Sequence, residues 1–234
     1  MKRLGLIGGM SWESTQVYYR GLNEGVRARQ GGLHSADLVL ISVDFAPIAA
    51  AQQRGNWGDL ALRLQQAAEQ LANAGAELLM ICTNTMHKVA PEVAANTPLP
   101  LLHIGDASGT AVVDRGCRSV GLLGTRFTMQ EAFYRDYLTQ HYGLDVYTPE
   151  PAQQDLVHQI IFEELCQGRV EAKSRTVIQA IIGQLVENGA EAVLLGCTEL
   201  GLLIPESERP VPILDTTRLH VDYALNAAMA TAKN

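Results

Sequence analysis

The sequence predicts an α/β protein built from two copies of one unit, and two internal repeats lead to this prediction. The segment 75–87, GAELLMICTNTMH, reappears with few changes at 189–201, GAEAVLLGCTELG. The segment 4–20, LGLIGGMSWESTQVYYR, is similar to 120–135, VGLLGTRFTMQEAFYR. Both pairs occur in the same order, so the repeat is about half the chain long. That period is too long for a solenoid and is typical of a duplicated α/β unit.

Each half alternates short apolar runs with longer amphipathic segments, which predicts strands that alternate with helices. In the first half we expect strands near 3–8, 37–43, 77–82 and 100–104, and helices near 13–30, 57–74 and 87–95. In the second half we expect strands near 118–123, 144–147, 191–196 and 211–214, and helices near 129–140, 153–166, 172–188 and 217–231. The capping-box sequence Thr128-Met129-Gln130-Glu131 predicts the start of one of these helices. Strands joined by helices pair in parallel, and ligands bind beyond the carboxyl ends of such strands.

Each half closes with a Pro-x-Pro segment, at 98–102 and at 210–214, and one further helix follows the second segment. No third unit is available for that helix to join. We therefore expect it to pack on the first lobe. The predicted lobes are 1–108 with 215–234, and 109–214.

Composition excludes several classes of function. The chain has 234 residues, of which 47% are hydrophobic, and its net charge is −7, so nucleic acid is not an expected partner. No segment has membrane-spanning length, and the apolar stretch before Gly8 is too short for a signal peptide. The cysteines and histidines lack metal-ligand spacing, so we expect reduced thiols, no metal site and a cytoplasmic location.

The glycine-rich turn Gly8-Gly9-Met10-Ser11 follows the first predicted strand. It lacks the G-x-G-x-x-G pattern of a dinucleotide site. Glycines allow a tight turn after a buried strand. Exposed backbone N–H groups and Ser11 at a helix start also predict a carboxylate-sized anion site. In the second half Thr125 offers a hydroxyl at the matching position.

Polar side chains follow the third predicted strand of each half. The repeat aligns Thr83-Asn84-Thr85 with Cys197-Thr198-Glu199. A cysteine at the end of a buried strand is often a core residue, but backbone donors beyond a strand end can lower its pKa and make it reactive. Adjacent side chains of a strand point to opposite faces, so Cys82 is expected to face the core if Thr83 does not.

The motifs GLIGGMSWEST, CTNTMHK, LLGTRFTM and GCTELGLL together resemble the aspartate/glutamate racemase family over essentially the whole chain. The resemblance implies a cofactor-independent amino acid racemase that forms a homodimer. It implies two pseudo-symmetric Rossmann-like lobes, each a three-layer α/β/α arrangement with a parallel sheet, and an active site in the cleft between them. In that family a cysteine from each lobe stands on either face of the substrate α-carbon, because inversion requires an acid and a base on opposite sides.

The chain departs from the family at one of these two cysteines. Thr83 stands where the first cysteine belongs, and Cys197 matches the second. A threonine hydroxyl is a far weaker acid than a thiol, so Thr83 can relay a proton or position a water but cannot rest as an alkoxide. We expect Cys197 to remove the α-proton of one enantiomer, which the resemblance to the family implies is the L form, and the reverse reaction to be slow or absent.

The resemblance and the strand-end positions also predict the substrate contacts. The α-amino and α-carboxylate groups are expected to be held by Met10, Ser11, Asn84, Thr85, Thr125 and Thr198. Gln52 and Arg54 lie in a predicted loop before Trp57, and Arg54 would clamp a second carboxylate of an aspartate- or glutamate-like substrate. Glu199 would assist Cys197 or satisfy backbone donors. Some family members carry a lysine where this chain has Cys166, so a broader substrate range stays open.

Two other functions stay open at this point. A chain with one well-placed cysteine could be a decarboxylase or isomerase of the same superfamily. A two-lobed architecture also suits a small-molecule binding protein without catalysis. Two aromatic residues of the first helix, Trp12 and Tyr19, are expected to pack that helix on the core, and His87 is expected to support the first strand end.

Overall fold

The structure is a computed structural model that describes residues 1–197, 200–201, 203–204 and 211–230. The chain divides into two compact units, Met1–His103 with His220–Asn234, and Ile104–Leu219. The sequence-based boundaries after residues 108 and 214 differ from these divisions, the second of which falls within the last helix.

The first unit is built around a parallel sheet with the strand order β2-β1-β3. Its elements are β1 (Leu4–Gly8), α1 (Trp12–Gln30), β2 (Leu38–Ser42), α2 (Phe45–Gln53), α3 (Trp57–Asn73), β3 (Leu78–Ile81), a 3₁₀ helix (Thr85–Val89) and α4 (Ala90–Ala95). Strand β1 pairs in register with both neighbours, Leu4 lying opposite Leu38 and Leu78.

Alternate residues of these strands face two separate cores. Leu79 and Ile81 pack with α2 and α3 on one face of the sheet. Leu78 and Met80 pack on the other face with α1 and with the last helix. The sheet is therefore covered by helices on both sides, as its continuous apolar strands require.

The second unit contains a parallel sheet with the order β5-β4-β6-β7. Its described elements are α5 (Ile104–Val113), β4 (Ser119–Gly124), α6 (Arg126–Gln130), α7 (Ala132–Tyr142), β5 (Asp145–Tyr147), α8 (Pro151–Glu163), a 3₁₀ helix (Leu165–Gln167), α9 (Ala172–Glu187), β6 (Ala192–Gly196) and β7 (Ile213–Asp215). The last helix, α10 (Thr216–Met229), begins in this unit and from His220 onward belongs to the first. Leu123 and Leu195 pack with α8 and α9, whereas Leu122 and Leu194 pack with α5 and α7. The predicted α/β class with parallel sheets and three-layer units is confirmed.

Several predicted elements were wrong. The expected strand 100–104 is reduced to a single parallel bridge between Leu101 and Leu79, because α5 begins at Ile104. Helices α2 and α5 were not predicted. The expected capping box at Thr128 is instead the interior of α6, which Thr125 caps. Helix α6 ends at Gln130, and Glu131 separates it from α7.

The expected packing of two aromatic residues of α1 was also wrong. Trp12 is 58% exposed and Tyr19 is 53% exposed, because both lie on the face of α1 that points away from the core. Within the described part of the chain, every helix is too short or too polar to traverse a lipid bilayer.

Candidate active site

The turn after β1 is held by a short chain of hydrogen bonds. The N–H of Gly9 donates to Thr15 Oγ1 at 2.7 Å, and Thr15 Oγ1 donates to the carbonyl oxygen of Ser11 at 2.9 Å. Ser11 is the N-cap of α1, since its side chain accepts a hydrogen bond from the N–H of Ser14. Met10 and Ser11 are both buried. The start of a helix with a fixed hydroxyl is a suitable place for an anionic group.

The end of β3 lies next to this turn. The N–H of Cys82 donates to the carbonyl oxygen of Ile7 at 2.9 Å, and Ser14 Oγ donates to the carbonyl oxygen of Cys82 at 3.3 Å. These bonds place the segment Thr83–Thr85 at the same sheet edge as Met10 and Ser11. Asn84 and Thr85 are buried, whereas Thr83 is only partly buried.

Cys82 and Thr83 have different surroundings although they are adjacent in sequence. Cys82 is fully buried and packs in the same core as Leu78 and Met80. Burial raises the pKa of the Cys82 thiol well above its usual range, because the thiolate would lose its solvation. The prediction that Cys82 points into the core is confirmed, and its thiol is unsuited to act as a base.

Arg54 lies in the short turn between α2 and α3, as predicted, whereas Gln52 does not lie in a loop. Gln52 belongs to the last turn of α2, is buried, and its Nε2 donates to Met86 Sδ at 3.1 Å. Arg54 is the exposed C-cap residue of α2. Gln52 therefore contacts Met86 in the 3₁₀ helix that follows β3. Arg54 is two residues after Gln52 and is exposed.

The second unit repeats the arrangement with different side chains. Gly124 at the end of β4 pairs with Gly196 at the end of β6, so the residues that follow them, Thr125 and Cys197, leave adjacent strands. Thr125 is buried and caps α6 by accepting a hydrogen bond from the N–H of Thr128. Cys197 is partly buried against the core beneath α8 and α9. Thr198 and Glu199 lie outside the described residues.

Three polar residues that the sequence reasoning did not select also lie at these strand ends. Ser14 and Thr15 fix the first turn, as described above. Asp215 ends β7 opposite Leu195 and accepts hydrogen bonds from the N–H groups of Thr217 and Arg218. Burial raises the pKa of Asp215, and these hydrogen bonds oppose the shift. An acidic residue directly after an apolar strand was the available signal for Asp215.

Each edge offers the groups that an amino acid substrate requires. Hydroxyls and backbone N–H groups at a helix start suit a carboxylate, and an amide oxygen suits an ammonium group. The second unit adds a thiol, which can act as an acid and a base once deprotonated. The first unit has a hydroxyl at the corresponding position.

Comparisons with known proteins agree with this chemistry. Residues 7–224 match the model of a family described as Asp/Glu/Hydantoin racemase. The crystal structure of a Yersinia pestis protein assigned as an Asp/Glu racemase is similar, with a TM-score of 0.92 and 46% identity over 98% of this chain and 100% of that one. An aspartate racemase homologue from Pyrococcus horikoshii has a TM-score of 0.85 and 34% identity over 98% of this chain and 100% of its own.

A curated relative is more distant in sequence. The broad-specificity amino-acid racemase RacX of Bacillus subtilis is 21% identical over 215 residues, which is 92% of each chain. The family model matches most of this chain, and the two crystal structures align with nearly all of it. The chain belongs to the Asp/Glu/Hydantoin racemase family.

Proposed function

We propose that this protein is a cofactor-independent amino acid racemase in which Cys197 is the principal acid/base and Thr83 replaces the usual second cysteine. Membership of the family supports a racemase, and so an isomerase activity. The observation that carries the finer proposal is the contrast at the two equivalent strand ends. Cys197 is a partly buried thiol, whereas Thr83 is a hydroxyl whose neighbouring thiol, Cys82, is enclosed in the core.

The reaction follows from the chemistry of these groups. The thiolate of Cys197 takes the α-proton of an L-amino acid, and the electron pair stays on the α-carbon as a planar carbanion. A proton from Thr83 Oγ, or from a water that it positions, is then added to the opposite face and gives the D enantiomer. Thr83 then regains its proton from solvent, and the Cys197 thiol releases the α-proton to solvent, which restores the thiolate. Because a hydroxyl is a poor base, abstraction from the D enantiomer is slow. The two enantiomers have equal free energy, so inversion of the L enantiomer is equally slow, and the faster loss of the L α-proton is exchange with solvent through Cys197.

Donors at the strand ends stabilise the carbanion by holding the substrate carboxylate, which shares the negative charge. The residues proposed for the α-amino and α-carboxylate groups are Met10, Ser11, Asn84, Thr85, Thr125 and Thr198. Gln52 and Arg54 are proposed to contact the substrate side chain, and Glu199 to assist Cys197. The substrates are proposed to be aspartate, glutamate or a broader set, since the Bacillus subtilis relative is named for its broad specificity.

The test is α-proton exchange in D2O. Wild type is incubated with a panel of L- and D-amino acids, and loss of the α-proton signal is followed by NMR. We expect rapid loss in the L series, slow loss in the D series, and no loss in the Cys197→Ala variant. Equal rates from the two series would contradict the asymmetric mechanism.

Two further assays separate the other functions. Release of CO2 from a disubstituted malonate, without exchange of any amino acid, would favour a decarboxylase. Ligand binding that survives Cys197→Ala, with no turnover by wild type, would favour a binding protein.

We also propose that the protein assembles as a homodimer through one face of the first unit. A groove of about 760 Å³ runs between α1, the segment 32–35 and β2, and Trp12 and Tyr19 line it. Leu33, on the rim of this groove, is completely exposed. Exposed apolar and aromatic side chains that gather on one face of a protein are typical of an interaction site.

The same face is suited to a second copy of the chain. The exposed Leu33 lies beside a groove, so in a dimer with a two-fold axis the Leu33 of each copy could pack into the groove of the other. Glu24 and Arg27 both line the groove, so each copy presents both signs of charge to the other. Strand β2, which ends the sheet order of the first unit, carries no charged residue to discourage pairing.

A further inference from the structure

Three histidines form a cluster close to the end of β3. The ring of His87 lies 4.6 Å from that of His103 and 5.9 Å from that of His220, measured between centroids. His87 and His220 are buried, and Tyr18 packs edge-on against His220. The cluster joins α1, the segment before α5, α10 and the 3₁₀ helix that follows Thr83.

The hydrogen bonds assign a tautomer to two of the rings. His87 Nδ1 lies 2.8 Å from the carbonyl oxygen of Thr83, and a carbonyl only accepts, so Nδ1 carries the proton. His220 Nε2 lies 2.8 Å from the carbonyl oxygen of Leu102 and is a donor for the same reason. His220 Nδ1 is then the acceptor for the hydroxyl of Tyr18 at 3.0 Å.

His87 makes its hydrogen bond as a neutral ring. Burial lowers the pKa of His87 well below its usual range, and the neighbouring His103 and His220 add to the shift. The ring therefore supplies a donor of fixed position and no net charge. Its edge-on contacts with the other two rings hold it in one orientation.

The bonded carbonyl belongs to the peptide that joins Thr83 to Asn84. The side chains of these residues leave from the Cα atoms on either side of that peptide, so the plane of the peptide sets both directions. The N–H of Thr83 is bonded in turn to the carbonyl oxygen of Ile81 at 2.9 Å. Thr83 is thus held at its N–H by its own strand and at its carbonyl by His87.

We propose that His87 is a positioning residue for Thr83, and that its Nδ1–H aims the Thr83 hydroxyl for proton return to the carbanion. The inference rests on the proposed racemase function. It assigns to His87 no contact with substrate. It predicts that loss of the donor slows the step that uses Thr83 more than the step that uses Cys197.

The test compares His87→Asn with His87→Gln. The amide nitrogen of asparagine is the same number of bonds from Cα as Nδ1, so it keeps the donor in reach of the Thr83 carbonyl. The glutamine amide lies one bond farther out, and His87→Leu removes the donor altogether. All three variants are checked for folding by circular dichroism and thermal unfolding.

Each enzyme is incubated with an L-amino acid in D2O, and deuterium in recovered L substrate is compared with D product. In His87→Gln and His87→Leu we expect the ratio of exchange to inversion to rise by about tenfold, since a misplaced group costs a large factor in rate. His87→Asn should stay near the wild-type ratio. A merely structural role would lower exchange and inversion together and leave the ratio unchanged.

Equal ratios in His87→Asn and His87→Gln would overturn the inference, and this comparison holds even if His87→Leu does not fold. Failure of the racemase proposal gives a different result, because wild type itself would then show neither exchange nor inversion.

Discussion

Glu77 and Glu191 occupy equivalent places in the two units and make the same hydrogen bond. Glu77 Oε2 accepts from the backbone N–H of Arg3 at 2.8 Å, and Glu191 Oε2 accepts from that of Arg118 at 2.6 Å. Arg3 precedes β1 and Arg118 precedes β4. The Gly-Ala-Glu sequence that opens each repeat therefore ties the start of one strand to the start of its neighbour, which gives the repeat a structural role.

The hydrogen bonds of Glu191 make stability depend on pH. Hydrogen bonds from the N–H groups of Arg118 and Ser119 lower the pKa of Glu191 from its ordinary value of 4.5. A lowered native pKa means that the stabilisation is present above the ordinary value and is lost as pH falls through the native one. We expect Glu191→Gln to lower Tm near neutral pH, with the difference from wild type shrinking below about pH 4.5.

Glu187→Gln is the matched control, because Glu187 is an exposed residue at the end of the preceding helix. It should unfold like wild type at every pH. A Tm difference for Glu191→Gln that stayed constant down to strongly acidic pH would show that the carboxylate charge contributes nothing.

The central strands were predictable because they are continuous apolar runs bounded by glycine and polar residues. Helix α5 was not, because the glycines and serine in IGDASGTAVV disfavour a helix on their own. Its packing explains them: a Cβ on Gly109 would lie 2.3 Å from the ring of Tyr142. The close packing of α5 against α7 therefore stabilises a helix in a segment whose local propensity favours a loop.

In the candidate site, too, some residues could be predicted from the sequence and some contacts could not. Ser11, Thr83 and Thr125 could be selected because each directly follows a strand or opens a helix. The contact of Ser14 with Cys82 could not, because the two residues are 68 positions apart and meet only when β1 and β3 pair. Helix α2 was missed for a different reason. Its residue Pro47 suggests a loop, but proline also fits the first turn of a helix.

Replacement of Thr83 by cysteine should make the enzyme more symmetric. A thiol can rest as a thiolate and remove a proton, which a threonine hydroxyl cannot, so α-proton loss from D-amino acids in D2O should rise by about tenfold or more. The rate from the L series should change less, because that step uses Cys197. An unchanged rate from the D series would argue that Thr83 does not face the substrate α-carbon.

Cys82→Ala is the control for this variant, because it removes the adjacent thiol from the core. It should keep wild-type exchange rates and lower the free energy of unfolding by about 1 kcal/mol through the lost packing. Urea unfolding measures the second effect. Loss of exchange in folded Cys82→Ala would assign Cys82 a chemical role.

Leu33→Glu should weaken the proposed homodimer. A charge at this exposed leucine would remove its apolar contact with the groove of the second copy, and loss of a well-packed apolar contact weakens an association by about tenfold or more. Light scattering after size-exclusion chromatography, over a range of concentrations, measures the change. Leu62→Glu is the control, because Leu62 is 59% exposed on α3 and does not line the groove. A dimer equally insensitive to both changes would place the interface elsewhere.

Gly9→Ala should destabilise the turn that holds Met10 and Ser11. Gly9 has a φ of 89°, which disfavours any side chain, and a Cβ there would lie 2.2 Å from the carbonyl oxygen of Val43. Since the backbone must move to relieve this overlap, we expect the free energy of unfolding to fall by about 2 kcal/mol or more.

Gly183→Ala provides the opposite case, because Gly183 lies within α9 and a Cβ there meets no atom within 4 Å. That change should stabilise the protein by about 0.5–1 kcal/mol, as alanine is the better helix former. Chemical unfolding measures the change in the free energy of unfolding for both variants, which we expect to be a decrease for Gly9→Ala and an increase for Gly183→Ala. Equal changes would contradict the steric argument for Gly9.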